Sequence, residues 1–369
     1  MNRLNDPITL NNGVVIPNRI VMAPMTSKGS LYNGVVGKED YEFFSRRSEA
    51  AGIIITGATA VSKLGENFSY QMSIYEDGFI PGLTELAKNM KRHGNKVLVQ
   101  IYHSGANSKT SYEKHGKVVA PSNVNFPHLP YQVTELTEAE ILEVIKDFGR
   151  GTKRVIEAGF DGVEIHGAYK HIIQQFFSTY SNKRKDHWGG TLEKRMNFAL
   201  EVIKEVRETA KKYADKNFII GYRLTEEEMH KDSVGYDIHD TLKLIDKLAD
   251  ANLDYIHVTS NRFGKQIKNV IKDRTAFIYV PQDVTPKAAE DGLEFGDMVS
   301  LARGMLIEPD FAKKIIDGKK AEVATKITSV EMARSLHWPM KMAEWLLDPN
   351  GRNAVPEGIE FFKDTMEKE

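Results

Sequence analysis

Short runs of β-branched and other apolar residues recur along the chain and alternate with longer amphipathic stretches. The runs are Arg19–Ala23, Gly52–Ala58, Lys96–Tyr102, Gly162–His166, Phe218–Leu224, Asp254–Thr259, Ala276–Val280 and Asp297–Arg303. Helical patterning covers Leu83–His93, Glu138–Ala158, Leu192–Tyr213, His239–Ala251, Gly264–Lys272 and Pro286–Glu294. Parallel strands need a crossover between neighbours, so this alternation predicts a parallel sheet. Eight such units predict closure into a (β/α)8 TIM barrel. The long helix should begin at Thr137-Glu138-Ala139-Glu140, because a Thr hydroxyl and a carboxylate three residues on can each cap the other's backbone N–H.

The segment His103–Val133, rich in Asn, Pro, Ser and Gly, is too long for a simple barrel connection and reads as an excursion over the barrel mouth. No repeat, charge block or low-complexity linker divides the chain, so residues 1–369 read as a single domain. A helical tail follows from about residue 327. Within it Glu331–Glu369, with Trp338 and Trp345, suits either the core or the interface of a homo-oligomer.

With 369 residues the chain is long, but barrels of this class are commonly built as one domain. The charge balance narrows the partners: 50 basic and 51 acidic residues leave a net charge of -1, which provides no field for nucleic acid or an anionic membrane. A small-molecule substrate is expected. The absence of cysteine excludes disulfides, thiolate nucleophiles, cysteine-ligated zinc and iron-sulfur clusters. The start, MNRLNDPITLNNGVVIPN, lacks the apolar stretch of a signal peptide, and no run approaches the ~18 apolar residues of a membrane helix, so a cytoplasmic location is the expectation.

In a barrel the chemistry belongs at the carboxyl ends of the strands. Those ends read Ala23-Pro24-Met25-Thr26, Thr56-Gly57-Ala58, Gln100-Ile101-Tyr102-His103, His166 and Arg223. None is a lysine, which weighs against an imine-forming aldolase and against pyridoxal phosphate. His103, His166 and His171 lack a local carboxylate at metal-binding spacing, so no metal site is expected. A flavin ring, by contrast, needs amide and guanidinium donors at its pyrimidine edge, where negative charge accumulates on reduction. Gln100 and Arg223 suit that edge, and Arg223 at an apolar strand end demands a charged or strongly accepting partner.

The richest stretch, Asp161–Gly190, reads DGVEIHGAYKHIIQQFFSTYSNKRKDHWGG and carries His166, Tyr169 and His171 directly after a strand. Its GFDGVEIHGA strand (159–168), Gln175-Phe176 pair and NxRxDxxGG run (182–190) resemble those of the old yellow enzyme family of FMN-dependent ene reductases. The resemblance extends from about Pro17 to about Pro309 through RSEAAGIIITGATAVSKLGE, LVQIYHSG and MVSLARGMLIEPDF. It implies FMN as cofactor, NADH or NADPH as hydride donor, and an activated C=C bond such as an enone, enal or nitroalkene as acceptor. It also implies flavin contacts at Pro24, Thr26 and Ala58, pyrimidine-edge donors at Gln100 and Arg223, a phosphate contact at Ala302-Arg303, and substrate chemistry at His166, Tyr169 and His171.

Two departures stand out. The family's substrate pattern places His or Asn three residues after the first His, and Tyr two further on, whereas this chain has Tyr169 and His171, with the residue types exchanged. Where glycine-rich phosphate turns are expected, the chain has Pro281-Gln282-Asp283, and a Pro lacks an N–H while an Asp brings negative charge. The rival reading is therefore a non-catalytic barrel that binds flavin weakly or holds another ligand. A larger dienoyl-CoA-reductase-type enzyme is disfavoured by the missing cysteines.

Overall fold

The computed structural model describes residues 3–124, 126, 129–349 and 355–366. Eight parallel strands close into a barrel: β1 (Ile20–Met22), β2 (Ile53–Ala60), β3 (Lys96–Tyr102), β4 (Gly162–Gly167), β5 (Ile219–Leu224), β6 (Tyr255–Val258), β7 (Ala276–Tyr279) and β8 (Met298–Leu301). All eight lie within one or two residues of the apolar runs in the sequence, and helices cross between them, as the alternation requires. Five of the six expected helices begin within one residue of their sequence bounds; the sixth begins earlier, at Ile80–Met90, because Pro81 sits in its first turn. The capping box is present: Glu140 N–H donates to Thr137 Oγ1 (3.3 Å), and the Glu140 carboxylate accepts from Thr137 N–H (2.9 Å).

Strand periodicity divides the core in two. Val21, Ile53, Ile55, Leu98, Ile219, Tyr255, Ile278 and Met298 point inward and form an apolar plug, on which Leu10, Val14 and Ile16 also pack. Ile16 belongs to the short antiparallel pair Ile8–Thr9 and Val15–Ile16, and Leu10 and Val14 flank its turn; sequence patterning does not reveal the pair because each strand has only two residues. Outward residues such as Ile54, Val99, Val163, Ile165 and Ile256 meet the helices in the larger cluster.

Register positions the site. The β2–β3 pairing slips between Ile55 and Ala58, leaving a bulge at Thr56-Gly57 that sets Ala58 opposite Gln100. Gly57 is needed there, since a Cβ would lie 2.5 Å from the Met25 carbonyl oxygen and block the approach of the segment after β1. The tail returns to the barrel: Trp338 stacks on Phe362 with ring centroids 4.2 Å apart, and its indole N–H donates to the Leu306 carbonyl (3.1 Å). The buried Arg47 donates to the carbonyls of Phe43, Met305, Leu306 and Leu336, tying helix Lys38–Arg46, the end of the barrel and the tail into one packed unit. Of the tail expected over Glu331–Glu369, residues 350–354 and 367–369 lie outside the described residues.

Candidate active site

A cavity of about 660 Å³ opens at the carboxyl end of the strands. Its lining brings together Pro24, Thr26, Ala58, Gln100, His166, Tyr169, His171 and Arg223, contributed by the ends of β1 to β5. The excursion after His103 does reach the mouth, supplying Asn107, Lys109, Thr110 and Glu113 to the rim, although residues 125, 127 and 128 of it lie outside the described residues. The sequence gives no sign that Phe68 and Trp345 also line this cavity. Their rings meet edge to face at 5.8 Å, with the Lys28 ammonium 5.7 Å from each centroid.

The strand register sets the polar residues side by side: Gln100 pairs with Glu164, His166 with Arg223, and Arg223 with His257. His166 and His171 are buried with ring centroids 4.9 Å apart, and His171 also meets Tyr102 edge-on at 5.0 Å. Burial pushes both imidazoles down, His171 to about 4 and His166 well below the ordinary histidine range, the latter helped by His171, Arg223 and His257. Both are therefore neutral near pH 7. His103 is also neutral, pushed down to about 3 by burial and by His171, but its Nδ1 accepts from Gly105 N–H (3.0 Å) and it does not line the cavity.

Tyr169 is different in kind, being 54% exposed. It and Lys170 both adopt left-handed backbone (φ 55 and 59), which for non-glycine residues costs about 1 kcal/mol or more each. Surrounding groups hold this turn in place. Tyr169 N–H donates to Thr225 Oγ1 (3.1 Å), Lys170 N–H donates to Gln174 Oε1 (2.8 Å), and the Lys170 carbonyl accepts from Asn107 Nδ2 (2.9 Å) and Gln175 Nε2 (2.6 Å). The turn places the phenol ring 5.4 Å from the Arg223 guanidinium and 5.9 Å from the His166 ring. Gln175, part of the family-like Gln-Phe segment, thus supports the backbone behind the cavity, and Gln174 does the same.

The residues at the cavity fit a flavin ring. Three buried nitrogens have no partner: Arg223 Nε, His166 Nδ1 and His171 Nδ1. Arg223 makes no ion pair of its own among the described residues, so the charged or strongly accepting partner that its position demands is not supplied by a direct contact within the chain. Its nearest compensation is the Tyr169 ring and the field of Glu164. A buried guanidinium left this open calls for a ligand with acceptors. Pro24 and Ala58, both small, line the same cavity.

The negative charge expected at Asp283 is present and has local donors. Asp283 turns its carboxylate onto Thr285, accepting from the Oγ1 (2.6 Å) and the N–H (2.8 Å), and these bonds hold its pKa below the usual range. Ala302 and Arg303 lie outside the lining of the main cavity. Arg303 is exposed and has no hydrogen bond or ion pair among the described residues, which leaves its guanidinium open to an anion. Among the described residues no three His, Asp or Glu side chains gather as a metal site, and no helix is long and apolar enough to cross a membrane.

Comparison with known proteins gives consistent results. Residues 3–322 match the NADH:flavin oxidoreductase / NADH oxidase family. The chain is 34% identical to the probable NADH-dependent flavin oxidoreductase YqiG of Bacillus subtilis (strain 168), over 94% of this chain and 96% of that protein. It is 35% identical to the NADH:acrylate oxidoreductase of Vibrio harveyi, covering 93% of this chain but only 36% of that longer protein. Among solved structures, morphinone reductase in complex with tetrahydroNAD superposes with a TM-score of 0.76 at 25% identity, covering 86% of this chain and 92% of that one. The old yellow enzyme homologue of Zymomonas mobilis shares the fold, with a TM-score of 0.78 at 23% identity over 92% of this chain and 99% of that one.

Proposed function

The chain belongs to the NADH:flavin oxidoreductase / NADH oxidase family, an FMN enzyme that takes hydride from NADH or NADPH, and from that premise we propose that it reduces activated C=C bonds in small molecules. The acceptor class we propose is an enone, enal, nitroalkene or similar electron-poor alkene. The observation that carries the reading is the single cavity that collects the substrate trio with Gln100 and Arg223, and leaves His166 Nδ1, His171 Nδ1 and Arg223 Nε without partners.

When bound, FMN supplies the hydride chemistry; the chain supplies orientation, electrostatics and a proton. Gln100 and Arg223 would hold the pyrimidine edge and Pro24, Thr26 and Ala58 would flank the ring; Arg303, exposed and outside that lining, would with the backbone at Ala302 meet the phosphate beyond it. His166, kept neutral by burial, donates one hydrogen bond to the acceptor's electron-withdrawing oxygen; the Tyr169 hydroxyl, which has a single proton, would donate a second there in the bound state and turn that proton to the α-carbon as hydride arrives at the β-carbon. That polarisation makes the β-carbon electrophilic and prepares the α-carbon for a proton.

Either Tyr169 or His171 could deliver that proton. Burial favours Tyr169 Oη: a neutral imidazole pushed down to about 4 holds no extra proton to give near pH 7, whereas the half-exposed phenol can regain its proton from water. His171 instead forms the wall on which Tyr102 and His166 rest. The test is a pair of anaerobic half-reactions. Protein saturated with FMN should bleach with NADH or NADPH and recover its visible absorption on adding 2-cyclohexenone, a 2-enal or a nitroalkene. Protein that bleaches but is reoxidised by oxygen and by none of these alkenes would refute the acceptor class. Colourless protein after incubation with FMN would favour a barrel that holds flavin weakly.

A further inference from the structure

Beneath the cavity lies a fully buried carboxylate that the proposed chemistry leaves unused. Glu164 points inward from β4, and its Oε1 accepts from Gln100 Nε2 (2.8 Å). Its Oε2 accepts from His257 Nδ1 (2.8 Å) and Tyr255 Oη (3.1 Å). The tyrosine reaches across because its register partner on β5 is Gly221, where a Cβ would fall 2.0 Å from the ring. Burial works to raise the pKa of Glu164, but the His257 imidazole, the Arg223 guanidinium and the hydrogen bonds outweigh it and keep it below the usual range. It is therefore a carboxylate, able only to accept.

That fixes the atoms around it. His257 must carry its proton on Nδ1, which leaves Nε2 bare, buried and without a partner. Gln100 must turn its amide nitrogen toward Glu164. A glutamine amide has nearly the same shape in either flip, so packing alone would not choose between them. A partner that can only accept does choose, and it leaves the Gln100 carbonyl oxygen as the group presented away from Glu164, so Gln100 would meet the pyrimidine edge as an acceptor and not as the donor expected from the sequence.

We propose that Glu164 is a positioning residue that locks the Gln100 amide, so that the site offers an acceptor beside the Arg223 donors and reads the imide N–H of a flavin pyrimidine ring. The inference rests on the reading of this cavity as the FMN site. An imide edge alternates carbonyl, N–H and carbonyl, and an acceptor next to a guanidinium complements that alternation. A glutamine free to flip would present the wrong group part of the time.

The test compares FMN with N3-methyl-FMN, which lacks that N–H, by fluorescence titration of flavin-free protein. Wild type should bind the methylated flavin at least a hundredfold more weakly. In E164Q, whose amide can donate or accept, Gln100 is released, and the discrimination should fall to tenfold or less. Steric exclusion of the methyl group acts on both proteins, so the change in the ratio isolates the orientation of the amide. A role confined to stability would lower affinity for both flavins together and leave the ratio intact. E164M, of the same length with no acceptor, carries the same expectation should E164Q fail to accumulate folded. Wild-type discrimination retained by either folded variant overturns the proposal, as does a wild type that binds both flavins alike. A wild type that binds neither refutes the flavin reading of the site instead.

Discussion

Replacing Arg223 by Met should raise or preserve the stability of the flavin-free protein while abolishing tight FMN binding. Arg223 is 5% exposed, and its Nε has no partner. A guanidinium is a permanent cation, and keeping such a group out of water costs several kcal/mol even after relaxation. Against this stand the Tyr169 ring at 5.4 Å, worth about 0.5–1 kcal/mol, and attraction to Glu164, which makes no direct ion pair with it. Glu164 keeps its three donors when Arg223 is gone. The expected change in apo stability is thus a gain of about 0–2 kcal/mol, in the range seen when apolar residues replace buried charge.

For the loaded protein the sign reverses. Losing one partner of a buried, charged contact costs about 2–5 kcal/mol, which is roughly 30-fold to several thousand-fold in FMN affinity. Thermal unfolding of flavin-free protein and fluorescence titration with FMN give the two numbers. A folded variant destabilised by more than about 1 kcal/mol in the apo state would mean that Arg223 is a structural residue already satisfied, and would refute the argument from its open hydrogen-bonding capacity.

Tyr169→Phe should leave flavin reduction by NADH unchanged and slow reoxidation by an enone about 100-fold or more, as loss of a general acid does; equal reoxidation rates would return the proton to His171. Arg303→Ala should weaken FMN by roughly 10–100-fold, the range of a charged hydrogen bond, with riboflavin unaffected; an equal loss for both would remove Arg303 from the phosphate. His103 is held neutral down to about pH 3 in the fold, against 6.5 for a free imidazole, so its contribution is complete above about pH 6.5 and is lost as pH falls toward 3. Relative to His103→Asn, wild type should therefore lose about 1.4 kcal/mol of stability per pH unit between about pH 6 and 4; parallel pH profiles by denaturant titration would contradict this. Gln174→Leu should raise the KM for the acceptor more than it lowers kcat, because Gln174 Oε1 holds the turn that carries Tyr169.

The barrel was legible because its signal is repeated: eight apolar runs and the helices between them each carry a small share, and an error of a residue at one boundary leaves the closure intact. The strand-end residues from Pro24 to Arg223 were legible for the same reason, since the fold itself says where strand ends converge. What escaped the sequence depends on long-range contact. Trp345 lies far along the chain from Phe68, and nothing local tells a core indole from one that lines a cavity. The Tyr169-Lys170 turn has no glycine to announce it, because its left-handed backbone is held by Thr225, Asn107, Gln174 and Gln175 rather than by local preference. Glu164 carried a readable sign, a charge at an inward position of an apolar strand, but its meaning needed Gly221, Tyr255 and His257 from neighbouring strands.

The exchange of Tyr and His between positions 169 and 171 is best understood through burial. At 171 the side chain is enclosed between Tyr102 and His166, where a charged imidazole is disfavoured and a group expected to shuttle protons would be cut off from water. At 169 the backbone is forced outward into a left-handed turn, and the side chain meets both solvent and Arg223. A phenol tolerates that position, stacking its ring on the cation and keeping its hydroxyl wet. The exchange therefore does more than swap two donors. It moves the group able to replenish its proton from the inner wall to the mouth, and leaves a neutral, aromatic, hydrogen-bonding surface behind it. A His171→Tyr, Tyr169→His double variant, which restores the family's order of types, tests this directly. It should reintroduce a pH dependence of reoxidation near the ordinary histidine range, because the imidazole would then sit at the exposed position. A double variant as insensitive to pH as wild type between 5 and 8 would show that burial does not divide the two roles.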